Sequence, residues 1–176
     1  MLLKFGTNCR GGEHELGTLW GVTVEPKERL FLRAVVEQPQ ADPLVRAKVP
    51  FGRVDRANDE QVVLSCSPEE LGTMPRHDEP AADAQRKRSR RRRRGEEIDE
   101  RVLTKTTKVV CRDGEVGQLM SITVDARSGD LEDLSFEGGV TTPREVVVPA
   151  SMATEWSEET VQLDCSRDDL ESFTGR

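Results

Sequence analysis

Four cysteines and two histidines are the residues of this 176-residue chain whose types could support nucleophilic, redox or metal chemistry. Cys9 and Cys66 lie 57 positions apart and Cys111 and Cys165 lie 54 apart, and no Cys-x-x-Cys pair supplies the spacing that structural zinc sites use. Cys66 is in phase with Val62 and Leu64, Cys165 with Val161 and Leu163, and Cys111 with Val109. At least three thiols should therefore point inward, where a cysteine packs as a small hydrophobe. Core packing is the leading reading, with a disulfide within each half, or a metal or redox site, as the alternatives. Cys9 and His14 form the sole candidate nucleophile–base dyad. The matching stretch around Glu115 and Val116 has no histidine, so His14 and His77 are both expected at the surface. The acid pairs Glu69-Glu70 and Asp168-Asp169 fall at helix starts, where negative charge complements the helix dipole; Glu158-Glu159 is a third pair. There is no P-loop and no G-x-S-x-G elbow, and "CRGGEHELG" precedes a strand rather than a helix, so it is no phosphate cradle. The expected chain is non-enzymatic, with no cofactor and no metal.

A different chemistry is offered by positions 86 to 94, where Arg86, Lys87, Arg88, Arg90, Arg91, Arg92, Arg93 and Arg94 put eight positive charges into nine positions. Such a run can hold nucleic-acid phosphates without reading sequence. It can equally hold an acidic surface, whether the chain's own second half, a partner protein or an anionic lipid leaflet. The third reading is a solvated spacer extended by its charge. No aromatic residue lies among the arginines, so the base stacking of a dedicated single-strand binder is missing. The whole chain carries −7, and residues 102–176 alone carry −8, from 7 basic and 15 acidic residues.

The elements that must position these residues occur twice. "TNCRGGEHELGTLWGVTVE" (7–25) parallels "VVCRDGEVGQLMSITVD" (109–125), aligning Cys9-Arg10 with Cys111-Arg112 and, after two extra residues in the first repeat, Gly17 with Gly117. Val49-Pro50 parallels Val148-Pro149, and "EQVVLSCSPEEL" (60–71) parallels "ETVQLDCSRDDL" (159–170). Trp20, Val22 and Val24, like Met120, Ile122 and Val124, alternate with small or polar residues, which is the pattern of a half-buried strand. Glycine in "RGGE", "RDGE" and "RSGD" suits tight hairpin connections. Ser67-Pro68-Glu69-Glu70 is a capping box with proline at the first helical position, and Ser166 with Asp169 repeats it, so a helical turn should close each repeat.

On these residues the chain resembles the PRC-barrel family, the small β-barrel of the photosynthetic reaction-centre H subunit and of the ribosome maturation factor's C-terminal domain. The likeness rests on "KVVCRDGEVGQL", "LEDLSFEG", "VVVPASM" and "VQLDCSRDDLESF", and the first repeat departs from it by its longer "EQPQADPLVRAK" loop. The resemblance implies an all-β fold of two small antiparallel barrels, each ending in a short helical turn; composition bounds them at residues 1–76 and 102–176, joined by an Arg-rich flexible linker, residues 77–101. It also implies a docking or adaptor role toward a protein partner in a larger assembly, with the strand edges and the loops 37–46 and 137–145 as the contact surface. Between the repeats Ile98 is the one large aliphatic residue of residues 77–101, too little to offset ordering entropy. Duplication permits the two barrels to pair within one chain, or the chain to form a homodimer. The opening "MLLKFGTNCRGGEH" lacks a secretory apolar segment and no window is long enough to span a bilayer, so a cytoplasmic location with no integral membrane segment is expected.

Overall fold

A computed structural model of the protein describes residues 1–41, 43–77, 99–138 and 144–173. The alternating runs become strands. In the first repeat these are β1 (Leu2–Lys4), β2 (Asn8–Gly11), β3 (His14–Glu25), β4 (Leu30–Gln38), β5 (Val45–Pro50), β6 (Val54–Ala57) and β7 (Gln61–Leu64), followed by helix α1 (Pro68–Gly72). In the second they are β8 (Arg101–Thr104), β9 (Lys108–Cys111), β10 (Gly114–Val124), β11 (Leu131–Gly138), β12 (Arg144–Pro149), β13 (Ala153–Trp156) and β14 (Thr160–Leu163), followed by a 3₁₀ turn at Asp169–Ser172. They form two curled sheets of matching order, β5-β4-β3-β2-β7-β6 and β12-β11-β10-β9-β14-β13. The fold is all-β and mostly antiparallel; only β2 with β7 and β9 with β14 run parallel. No helix among the described residues is long and apolar enough to cross a membrane.

Both closing turns form as the side chains dictate. The Glu70 N–H donates to Ser67 Oγ at 3.2 Å while the Ser67 N–H donates to Glu70 Oε2 at 2.9 Å, satisfying two orphan donors reciprocally. Ser166 and Asp169 repeat this, with the Ser166 N–H donating to Asp169 Oδ2 at 2.9 Å. Leu71 and Leu170 on these turns are buried against the sheets.

Each sheet has a seventh strand, and it comes from the other repeat. β8 pairs with the far half of β3, setting Thr104 opposite Gly21, Leu103 opposite Val22 and Val102 opposite Thr23. β1 pairs with β10 in the same way, Lys4 opposite Ser121, Leu3 opposite Ile122 and Leu2 opposite Thr123. The exchange is reciprocal down to single hydrogen bonds. Phe31 N–H donates to the Gly129 carbonyl and Leu131 N–H to the Arg29 carbonyl, both at 2.8 Å, so this contact recurs 100 residues on. A twofold relation between the repeats follows, and one apolar cluster runs through both, from Leu3, Val22 and Leu64 to Leu103, Ile122 and Leu163.

That offset of 100, which holds from β1 to β4, corrects the alignment of the first hairpin. Cys9 lies opposite Gly17 and Val109 opposite Gly117, while Gly11 lies opposite His14 and Cys111 opposite Gly114. Cys9 is therefore equivalent to Val109, Cys111 is equivalent to Gly11, and the first repeat has no two-residue insertion. Register is held by packing rather than by residue identity: a Cβ on Gly17 would stand 2.1 Å from the Glu37 carbonyl oxygen, and one on Gly117 would stand 1.9 Å from that of Glu137. The inward phase holds at Val22, Val24, Ile122 and Val124 and is corrected at Trp20 and Met120. A bulge falls between Leu19 and Gly21, and another between Leu119 and Ser121. Trp20 and Met120 are consequently only partly buried, while Leu19 and Leu119 take the inward positions.

The ends of the compositionally defined linker are tied into the sheets. His77 N–H donates to the Arg46 carbonyl at 2.8 Å, and its ring lies 5.0 Å from that of Trp20, so it is half-buried rather than a surface histidine. At the other end Arg101 belongs to β8, and Glu100 bonds Arg33 Nη1 at 2.5 Å with Lys48 Nζ at 3.9 Å. Burial pushes the Glu100 carboxyl up, but the hydrogen bond and charge of Arg33, with the charge of Lys48, outweigh it and leave the group below its ordinary range. A lowered folded-state value stabilises the protein above the unfolded carboxyl's titration near pH 4 to 5, and the contribution fades as pH falls through the folded value. Glu100→Gln is thus expected to reduce stability at pH 7 by about 1 kcal/mol, and the difference from the parent should vanish on acidification in urea melts.

Candidate functional site

The sequence-predicted polyanion site, Arg86, Lys87, Arg88 and Arg90 to Arg94, lies outside the described residues, as do Asp42 and residues 139–143 of the two predicted contact loops. What remains of the first loop carries an exposed apolar residue, Leu44, at 45 % exposure, beside an ion pair of Arg46 Nε with Glu37 Oε2 at 2.9 Å. The Arg46 guanidinium stacks 4.1 Å over the Trp20 ring, so the bulge that expels Trp20 from the core creates a cation–π seat at this edge.

All four cysteines are buried, as the strand phase of three of them requires. In the first repeat burial, with Cys66 adding to it, pushes Cys9 up to about 12, and the nearest acceptor of its thiol is the Thr7 carbonyl at 3.9 Å. Burial likewise raises Cys66, with Glu70 adding to it. Such thiols are protonated at neutral pH and are poor nucleophiles. His14 opens β3 and is exposed, and no hydrogen bond joins it to Cys9 among the described residues.

The second repeat differs. Cys111, at the end of β9, and Cys165, just past β14, come together with Sγ atoms 3.3 Å apart. Burial, and then the hydrogen bond to Cys165, pushes Cys111 up to about 12; burial also raises Cys165, while the Cys111 bond opposes it. The pair is roofed by polar contacts between its immediate neighbours. Arg112 Nε donates to Asp164 Oδ1 at 3.0 Å, Arg112 N–H donates to the Cys165 carbonyl at 3.0 Å, and Arg167 N–H donates to Asp113 Oδ1 at 3.1 Å. Gly114, at φ +131°, makes room for Arg167: a Cβ there would stand 2.7 Å from Nη2.

Beside this corner a cleft of about 140 Å³ is lined by Glu115, Val116, Arg144, Val146, Arg167, Leu170 and Glu171. Arg167 Nη2 donates to the Glu115 carbonyl at 2.8 Å, whereas its Nε is buried without a partner. The Glu115 carboxylate is turned away, 2.8 Å from Lys108 Nζ. The cleft can accept an anionic group beside an apolar one. Its residues were not singled out by type or spacing. Their signal lies in the difference between the repeats: with sheet register as the guide, Arg144 replaces Val45, Arg167 replaces Pro68 and Glu171 replaces Gly72.

The outer edges of the sheets differ too. In the first repeat the chain after α1 turns along β5, with Lys48 N–H donating to the Pro75 carbonyl at 2.8 Å and Ala47 bridging Arg76. Among the described residues nothing pairs with the corresponding edge of β12. No family model matches the chain, and comparison with curated proteins likewise returns no match.

Proposed function

We propose that the chain is a non-enzymatic adaptor in which two PRC-barrel-like units, joined by strand exchange, hold a protein partner within a larger assembly. The observation that carries this reading is the contrast between the edges: β5 accepts an extended segment of its own chain, and β12 presents the same register beside a cleft holding Arg144 and Arg167. An extended segment bearing an acidic side chain fits that edge by strand addition, the backbone supplying affinity and the cleft choosing the side chain. Raised thiol values at Cys9 and Cys111 speak against thiol catalysis. A cytoplasmic setting accords with reduced cysteines.

By the shared register the outward N–H equivalent to that of Lys48 belongs to Val147. Val147→Pro removes it while leaving the β11 ladder intact. In capture from an extract of the source organism, the parent should retain a protein partner in stoichiometric amount and the proline variant at least tenfold less, with unchanged circular dichroism. The reading fails if no protein is retained. It fails equally if retention ignores Val147→Pro but disappears when residues 86–94 become Gly/Ser or when nuclease is added; that result would make the chain a phosphate-binding, nucleic-acid-associated protein.

A further inference from the structure

We propose that Cys111 and Cys165 are a modification site, a buried dithiol that closes into a reversible disulfide and that the second repeat alone possesses. The two Sγ atoms stand 3.3 Å apart across segments 54 residues distant in sequence, so closing the bond requires about an ångström of approach. The first repeat supplies the internal control. Its equivalent of Cys111 is Gly11, where a Cβ would stand 2.0 Å from the Cys66 carbonyl oxygen, so no side chain fits there. Cys9 sits instead at the position of Val109, opposite Val62 on the neighbouring strand.

The surroundings of the pair differ from those of Cys66 in the same sense. Arg112 and Asp164, each adjacent in sequence to one of the cysteines, form an exposed ion pair across the dithiol, where the first repeat has Gly12 and Ser65. Asp113 holds the N–H of Arg167, where the first repeat has Pro68 and no N–H to hold. These contacts form a latch at the tip of a hairpin and in the irregular segment after β14, the parts of a sheet that open most readily. Opening the latch exposes Cys165 first, since it lies outside the strands.

The oxidant is a low-molecular-weight disulfide, RSSR. The Cys165 thiolate attacks one sulfur, the RS–SR bond breaks, and RS⁻ leaves and takes up a proton, giving a mixed disulfide on Cys165. Cys111 then loses its proton to solvent and attacks Cys165 Sγ, expelling the second RS⁻. Two protein thiols are oxidised and RSSR is reduced to two RSH. The product ties the end of β9 to the segment carrying Arg167, Leu170 and Glu171, and so fixes one wall of the cleft.

The test uses the full reduced chain in native buffer with oxidised glutathione, followed by acid quench, alkylation and peptide mass spectrometry. The expected product is one intramolecular Cys111–Cys165 bond and a mass loss of about 2 Da, with Cys9 and Cys66 alkylated only after denaturation. Its midpoint of thermal unfolding should rise by roughly 5–10 °C. Cys111→Ala should stop at the mixed disulfide on Cys165, Cys165→Ala should give no crosslink, and Arg112→Ala should speed closure several-fold by releasing the latch. The proposal is overturned if neither the parent nor Arg112→Ala closes the bond while folded. A Cys9–Cys66 bond formed at an equal rate would overturn it as well.

Discussion

Truncating Leu103 to alanine is expected to lower the unfolding free energy by about 2–5 kcal/mol, the range for removing a large aliphatic side chain from a closed core. Leu103 is fully buried, and its register partner is Val22 of the other repeat. The location of the damage is therefore more informative than its size. Amide exchange should quicken first in β3, between Gly21 and Val24, while β9 and β14, closer in sequence to Leu103, keep more of their protection. Leu3→Ala is the mirror experiment, with the loss appearing at Ser121 to Thr123 of β10. A loss confined in each case to the repeat that carries the substitution would contradict the exchange. Chemical denaturation gives the magnitude, and the slope of its transition should stay that of one cooperative unit, because one apolar cluster spans both sheets.

Gly17→Ala and Gly117→Ala should each destabilise by about 3 kcal/mol, since a backbone carbonyl cannot rotate aside as a side chain can. Gly17 is expected to be the worse of the two. Its φ of +133° adds conformational strain to the contact with the Glu37 carbonyl, and Gly117 carries the steric term alone. Gly52→Ala is the control: nothing lies within 4 Å of its Cβ position, so the change should stay within about 0.5 kcal/mol. Urea midpoints for the three variants decide it, and equal effects at Gly17 and Gly52 would remove these glycines from the account of register.

Local features were legible in the sequence because local forces make them. The capping box at Ser67 and the Ser166–Asp169 turn need four consecutive residues, and the strand alternation needs six or seven. The exchange of β1 and β8 was not legible, for a reason peculiar to a duplicated chain: Leu3 meets the same apolar surface on Ile122 as it would on Val22. Sequence pattern is degenerate between the two pairings, and only the three-dimensional path of the chain chooses. The equivalence of Cys9 and Cys111 failed because matching letters were weighed above packing; the glycines under the Glu37 and Glu137 carbonyls hold the register, and they place Gly11, not Cys9, at the corner. The bulges take Trp20 and Met120 off the inward face that Val22, Val24, Ile122 and Val124 keep, without any proline or glycine signal at the bulged residue itself. The thiol pair was invisible for want of distance information, since it joins the two ends of a 54-residue span. The Arg86 to Arg94 run, conspicuous in the sequence, lies outside the described residues.

Because β1 completes the second sheet and β8 completes the first, the peptide between residues 77 and 99 is not what keeps the halves together. A protease cut anywhere from 78 to 98 would yield two interlocked fragments that still migrate as one particle under native conditions and separate only in denaturant. Selection on that stretch is released from any tethering duty.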